Sequence, residues 1–336
     1  MNPTGQDTAI VAGIDEAGYG PLLGPLVVSA VAFEVPAALL EPVPPDGPDF
    51  WTLWRDAVTA RTAARDPRLA VTDSKKLHRR SPDGRDLRLL ERAALVFLAL
   101  AGEHPGTLRS LLRRICPPVP AQLDEYPWYR GADIDLPTDC ARADLAVQAA
   151  ALRRATEASG VRFRGVFCEV LPEGHYNRLV AAVRNKGVLL FMQVGRLLQR
   201  IAAELPGRPL HAFVDRQGGR VSYLRPLMRA FDDAAVQVIE ETPRVSVYRL
   251  EWPDRRWRIG FRVSGEEHQL AVALASIFSK YTRELLMACF NRYWCGLVPG
   301  LRPTAGYHQD GQRFLEALES TLRRTGIDRA MLVRTL

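Results

Sequence analysis

Apolar residues along the chain fall into short blocks separated by polar or turn-forming clusters. Ile10-Val-Ala-Gly-Ile14 is a continuous apolar run of strand length that ends at the adjacent acids Asp15 and Glu16. A glycine- and proline-rich turn follows, Ala17-Gly-Tyr-Gly-Pro-Leu-Leu-Gly-Pro25, and residues 26–33 read as a second strand. Residues 34–70 are proline-rich at first, in Glu41-Pro-Val-Pro-Pro-Asp-Gly-Pro48, and read as an inserted loop with one short helix; residues 71–77 read as a polar turn. The pattern predicts an amphipathic helix over 85–103, irregular chain over 104–137, and a helix over about 140–158 capped by Thr138 or Asp139. Further on, strands are predicted at 162–170, 210–214, 236–239, 245–252 and 257–263. Helices are predicted at about 176–204, 222–231, 267–294 and 311–325, with Glu266 and Glu267 opening the long one. Such a mixture predicts an α/β or α+β fold.

Composition narrows the class. The 336 residues make one large domain or two small ones, and 47% hydrophobic with 25% charged residues is a globular balance. The longest uncharged apolar runs, 187–194 and 270–278, fall short of the roughly 18–20 residues of a membrane span. Residues 1–10 carry no basic region followed by an apolar one, so no secretory signal is expected. The five cysteines are scattered and no CxxC pair occurs, so neither a zinc site nor a disulfide framework is expected, and a reducing cytoplasm fits best.

Charge is uneven. Residues 1–150 hold 16 Lys+Arg against 20 Asp+Glu, whereas residues 151–336 hold 29 against 18. A basic C-terminal half suits a polyanionic partner such as nucleic acid, although an arginine-rich coding bias would produce the same excess. Only four lysines occur, Lys75, Lys76, Lys186 and Lys280, so each marks a position where a compact ammonium stands instead of the prevailing guanidinium.

The glycine-rich turn after the first strand is not a dinucleotide-binding loop. Pro21 and Pro25 interrupt it, and a strand follows where a helix N-terminus would have to hold the pyrophosphate. Two adjacent carboxylates at a strand end suit a divalent cation, or else are the solvated acids of a tight hairpin. The whole segment Gly13-Ile-Asp-Glu-Ala-Gly-Tyr-Gly-Pro-Leu-Leu-Gly-Pro25 resembles the opening motif of ribonuclease HII. In the same order, Thr72-Asp-Ser-Lys-Lys-Leu77 is similar to that family's Asp-Ser-Lys-Lys-Leu segment. Asn185 falls where the family opens a helix with Asn, and Val214-Asp215 resembles its third-carboxylate position. Ala275-Ser-Ile-Phe-Ser-Lys-Tyr-Thr-Arg-Glu284 and Gly306-Tyr307 resemble later motifs.

The resemblance implies a ribonuclease H-like α/β fold, a mixed sheet flanked by helices with a C-terminal helical region. It implies a single domain over 1–336, with a core of about 8–33, 71–103 and 161–295, insertions at 34–70 and 104–160, and a helical part over about 296–336. It implies four carboxylates around two Mg²⁺ or Mn²⁺ ions. Asp15, Glu16 and Asp215 match directly; counting back from Ser276 gives Glu266 where the family has Asp, with Glu267 as fallback. Gly18 and Gly20 of the family's Gly-Arg-Gly turn are kept, while Tyr19 replaces the Arg. Lys75, Lys76, Lys280 and Tyr307 are the further candidates for nucleic-acid contact, and His268 is the histidine nearest the acids. The implied activity is a metal-dependent endonuclease that cuts RNA in RNA/DNA hybrids or ribonucleotides embedded in DNA. Two rivals remain: a nucleic-acid-binding protein with little or no cleavage, and a nuclease for another structured nucleic acid. Related ribonuclease HIII carries a domain-sized N-terminal extension and is the less expected match, because the motif here begins at Gly13.

Overall fold

Residues 8–41, 47–63, 66–81 and 84–335 are described by the computed structural model. The expectations for residues 1–7 and for the proline-rich run at 42–46 lie outside the described residues. Seven strands form the main sheet: β1 (Thr8–Ala17), β2 (Leu26–Pro36), β3 (Arg162–Leu171), β4 (Leu210–Asp215), β5 (Ala235–Glu241), β6 (Val245–Glu251) and β7 (Arg256–Arg262). Their order is β3-β2-β1-β4-β7-β6-β5. β1 lies antiparallel to β2 and parallel to β4, β4 is parallel to β7, and the remaining neighbours are antiparallel. This is the mixed sheet flanked by helices that was expected.

β1 and β2 read as unbroken apolar runs because both of their faces are covered. Val11, Val27 and Val31 pack on one side, under α1 (Arg88–Leu100) and α5 (Leu270–Leu297); Ile10, Ile14, Val28 and Ala30 pack on the other, under α4 (Lys186–Glu204). Between them in chain order come α2 (Arg142–Ser159) and α3 (Glu173–Val183), and α6 (His308–Thr325) follows α5. α5 is buried along most of its 28 residues and runs hard against β1. A Cβ at Gly13 would stand 2.0 Å from the backbone carbon of Ala271, so only glycine lets strand and helix meet here.

Local chemistry moves several predicted boundaries. β1 continues through Ala17, so Asp15 and Glu16 lie within the strand and not beyond it. The helix expected over 176–204 is two helices. Arg184 ends α3 in the left-handed region at φ 53°, and Asn185 restarts the chain by accepting hydrogen bonds from the N–H groups of Gly187 and Val188 at 2.8 and 3.0 Å. The helix expected over 267–294 is likewise broken: a single turn, Gly265–His268, precedes α5, which Gln269 caps. Residues 104–137 are less irregular than expected, because Thr107 and Ser110 form a capping box that starts a helix at Leu108–Ile115. Tyr126, Trp128 and Tyr129 are buried, and Trp128 packs on Phe290 and Trp294 of α5.

Thr138 and Asp139 do not cap α2, which begins at Arg142 without a side-chain cap. Their N–H groups, with that of Cys140, go instead to the carboxylate of Glu91, which is fully buried in α1; Tyr281 of α5 donates its hydroxyl to the same group at 2.8 Å. One carboxylate thus ties the 104–160 segment to the helices over the sheet. Tyr281→Phe is expected to lower stability by about 1–2 kcal/mol, read as a lower denaturation midpoint with unchanged slope, since Glu91 keeps its other donors. Among the described residues no helix is long and apolar enough to cross a membrane. The five cysteines are free.

Candidate active site

The parallel pairing of β1 with β4 sets Ile14 opposite Val214. Asp15 and Asp215 therefore leave this pair on neighbouring strands, about 4.8 Å apart in backbone, at the C-terminal ends where open α/β sheets present their ligand crevice. The turn after β7 brings a third segment to the same end. Ser264 adopts φ 54°, the N–H of Gly265 donates to Asp215 Oδ1 at 2.8 Å, and Glu266 shares a hydrogen bond with Asp215.

Asp15 is supported from α5 and from the 72–77 segment. Ser276 gives its carboxylate a side-chain hydrogen bond, Ser279 donates to its carbonyl at 2.9 Å, and Ser276 Oγ lies 3.0 Å from Ser74 Oγ. Asp73 accepts from the N–H of Lys75 at 2.9 Å and so winds Ser74–Leu77 into one helical turn. That turn carries the ammonium of Lys75 close enough to Glu16 to oppose the rise in its pKa.

The electrostatics follow from putting these acids together. Burial, then Glu16 and Asp215, hold Asp15 well above the usual carboxylate range. Glu16 is pushed up to about 8, by burial first and by Asp215 next. Asp215 rises to about 7, by burial first and by Glu266 next. In the metal-free protein at neutral pH the cluster keeps protons that isolated carboxyls would have released. Glu266 Oε2 is buried with no hydrogen-bond partner among the described residues. No group of three or more Asp, Glu, His or Cys side chains among those residues forms a ready-made ligand cage. The chemistry of the donor set nevertheless fits a hard divalent cation: several carboxylates lack counter-charge, one oxygen is unused, and no thiol or imidazole stands among them.

The other expected residues divide. Lys76 is paired at 3.0 Å with Glu267, and both are exposed, so the fallback acid points to solvent while Glu266 turns to Asp215. Lys280 is largely buried and its Nζ lies 2.8 Å from Glu284, which leaves it less available than expected for a phosphate. Tyr307 is 52% exposed at the start of α6. Gly18 and Tyr19 are half-buried and Gly20 is exposed. The Tyr19 ring leans toward the start of α4, where Lys186 Nζ stands 5.3 Å from its centroid. His268 is exposed beside Glu267, and slight desolvation of its ring, with the charge of Arg262 nearby, holds its imidazole below the ordinary value. His211 is pushed down to about 4 by burial on β4 and is a neutral packing residue. The residues that sequence reasoning passed over are Ser74 and Ser276, which join the 72–77 segment to Asp15. Both sit inside quoted motifs, where their position was legible and their partner was not.

No family model matches the chain. A stretch of 28 residues, 8% of this chain, is 68% identical to ribonuclease HII of Xylella fastidiosa strains M12, M23 and Temecula1. That stretch spans 12% of the length of each of those curated relatives. Among solved structures, a chain of the PCNA:RNase HII complex from Archaeoglobus fulgidus aligns at 16% identity over 97% of this chain and 94% of that one, with a TM-score of 0.41. Ribonuclease H2 from Pyrococcus horikoshii OT3 aligns at 14% identity over 96% and 92%, with a TM-score of 0.44. Bst-RNase HIII in complex with Mn²⁺ aligns at 14% identity over 99% and 68%, with a TM-score of 0.42. Over that short stretch of sequence this chain is similar to ribonuclease HII.

Proposed function

We propose that the chain is a divalent-metal-dependent endonuclease that hydrolyses the RNA strand of RNA/DNA hybrids or cuts at ribonucleotides embedded in DNA. The observation that carries this reading is the convergence of Asp15, Glu16, Asp215 and Glu266, from three distant segments, on one electrostatically coupled cluster. These four carboxylates would hold two Mg²⁺ or Mn²⁺ ions. The ions, when bound, supply an activated water and relieve charge on the leaving 3′ oxygen. Ser276 and Ser74 orient the Asp15 carboxylate, and Lys75, whose charge acts on Glu16, would meet a phosphate there. The turn at Gly18, Tyr19 and Gly20 reads the 2′-hydroxyl that separates RNA from DNA, and the exposed ring of Tyr307 stacks on a sugar or base. The chain is read as one ribonuclease H-like domain with insertions at 34–70 and 104–160, and its free cysteines suit a reducing cytoplasm.

The test is incubation with a duplex holding one ribonucleotide, first with Mg²⁺ and then with Mn²⁺. Cleavage at the ribonucleotide is the expected result. Tight binding without product in either metal favours a nucleic-acid-binding protein on this fold, a reading supported by Tyr19 and by Glu266 in place of the family's Arg and Asp. Cleavage of all-DNA junctions with ribonucleotides ignored overturns the substrate assignment. Lys75→Ala is expected to weaken binding on all sequences alike and to reduce the slope of log affinity against log salt by about 1. Lys76→Ala has the smaller effect, because Glu267 already occupies that ammonium; equal slopes for both variants would remove Lys75 from the interface.

A further inference from the structure

The far end of the chain holds the glycine-rich turn from beneath. Arg334 is 2% exposed. One terminal nitrogen of its guanidinium donates to the carbonyl of Gly18 and the other to the carbonyl of Tyr19, the latter at 3.1 Å. The guanidinium carbon lies 4.0 Å from the centroid of the Tyr176 ring, and this stacking fixes the plane of the fork. The segment that carries Arg334 is itself clamped. Its own N–H donates to the carbonyl of Leu22 at 2.8 Å. Asn177 donates to the carbonyls of Ala330 and Val333 at 2.8 and 2.7 Å and accepts from the N–H of Thr335 at 2.8 Å. Tyr176 and Asn177 are adjacent on α3, so a single turn of that helix braces both the guanidinium and its backbone.

The carbonyl of Gly18 shares a peptide plane with the N–H of Tyr19, and the carbonyl of Tyr19 shares one with the N–H of Gly20. In a trans peptide the two groups point in opposite directions. Two carbonyls drawn inward to Arg334 therefore turn two successive N–H groups outward. The outward side is open: Gly20 is exposed, and a Cβ there would meet nothing within 4 Å. The inner side is closed, since a Cβ at Gly18 would stand 2.5 Å from Arg283 Nε and 2.6 Å from the carbonyl oxygen of Pro25. Successive outward N–H groups in a turn form a concave donor pair for an oxygen acceptor.

We infer that Arg334 is a positioning residue: it locks the peptide planes of the 18–20 turn so that the N–H groups of Tyr19 and Gly20 face an oxygen of the nucleic-acid substrate. This rests on the substrate class proposed above. The oxygen is a sugar hydroxyl or a phosphate oxygen, which share the acceptor chemistry. The experiment compares wild type with Arg334→Gln and with Arg334→Lys, which keeps charge and length but not the two-pronged fork. Hydrogen exchange of the peptide covering 17–25 is expected to quicken several-fold in both variants, with the rest of the chain unchanged. KM for the ribonucleotide-bearing duplex is expected to rise about tenfold with kcat within about twofold. Weakened binding of that duplex alone identifies the sugar hydroxyl; equal weakening on an all-DNA duplex identifies the phosphate. Unchanged exchange at 17–25, or exchange raised uniformly along the chain with KM unaltered, overturns the inference and leaves Arg334 a packing residue. If wild type cuts no ribonucleotide-bearing duplex the proposed function falls, and the exchange data still decide whether Arg334 orders the turn.

Discussion

Asp15→Asn is expected to lower the single-turnover rate on a ribonucleotide-bearing duplex by about 10³-fold while leaving affinity for the duplex within a few-fold. Asn has nearly the shape of Asp and can still meet the Ser276 hydroxyl, so the local packing of β1 against α5 survives. The substitution replaces a carboxyl that can give up its proton to a cation with an amide that cannot, at the most buried acid of the cluster. On the proposed assignment a hard cation would lose its best-shielded ligand, and a raised Mg²⁺ concentration is expected to recover part of the rate. Asp215→Asn should behave alike. Wild-type turnover in either variant would mean that the acids are structural and that hydrolysis, if present, occurs elsewhere.

The second large effect is on stability. Carboxyls in the unfolded chain titrate near 4, whereas in the folded metal-free protein Glu16 does so near 8 and Asp215 near 7. Between these limits the folded state binds protons that the unfolded state has released, so stability falls as pH rises. The contribution is fully present below about pH 4 and is lost as pH passes through 7 and 8. A tenfold difference in proton affinity between folded and unfolded chain corresponds to about 1.4 kcal/mol, and the coupling of the acids with their partial solvent access reduces the combined effect to a few kcal/mol. For a chain of this size that is a fall in Tm of roughly 5 °C between pH 6 and pH 9 without metal. Mg²⁺ or Mn²⁺ should restore the lost stability at the alkaline end and do little at the acid end, because a cation competes with protons for the same oxygens. Asp15→Asn should flatten the metal-free profile. A Tm that climbs from pH 6 to pH 9 in the absence of metal would contradict the electrostatic coupling described for the site.

Much of the sheet could be read from the apolar blocks, because β1 and β2 are covered on both faces and carry long runs of Val, Ile and Ala, whereas β4 alternates buried and half-buried positions. The misleading positions were those where side chains serve distant partners. Thr138 and Asp139 look like helix caps in sequence, yet their N–H groups are taken by Glu91, some fifty residues away. The break between α3 and α4 carries no proline or glycine at Arg184 and Asn185 to interrupt the apolar periodicity; its signal is Asn185 itself, a helix-opening residue whose side chain makes the cap. The acids stand out by their order along the chain, and their mutual distance depends on the register of β1 with β4, which no local pattern encodes. Arg334 left no trace in sequence at all, since an arginine in an arginine-rich chain stands out only when its burial is known.

The place of β1 in the sheet bears on how the molecule is made. One edge of this strand is covered by β2, which follows at once, but the other waits for β4, roughly two hundred residues downstream. At ribosomal speeds of about 5–20 residues per second, an apolar strand edge stays open on the nascent chain for roughly 10–40 s. An unpaired edge of this kind is a template for intermolecular pairing. Slow translation between 36 and 210, or a shortage of chaperone, is thus expected to partition newly made chains toward aggregates before the acidic crevice exists.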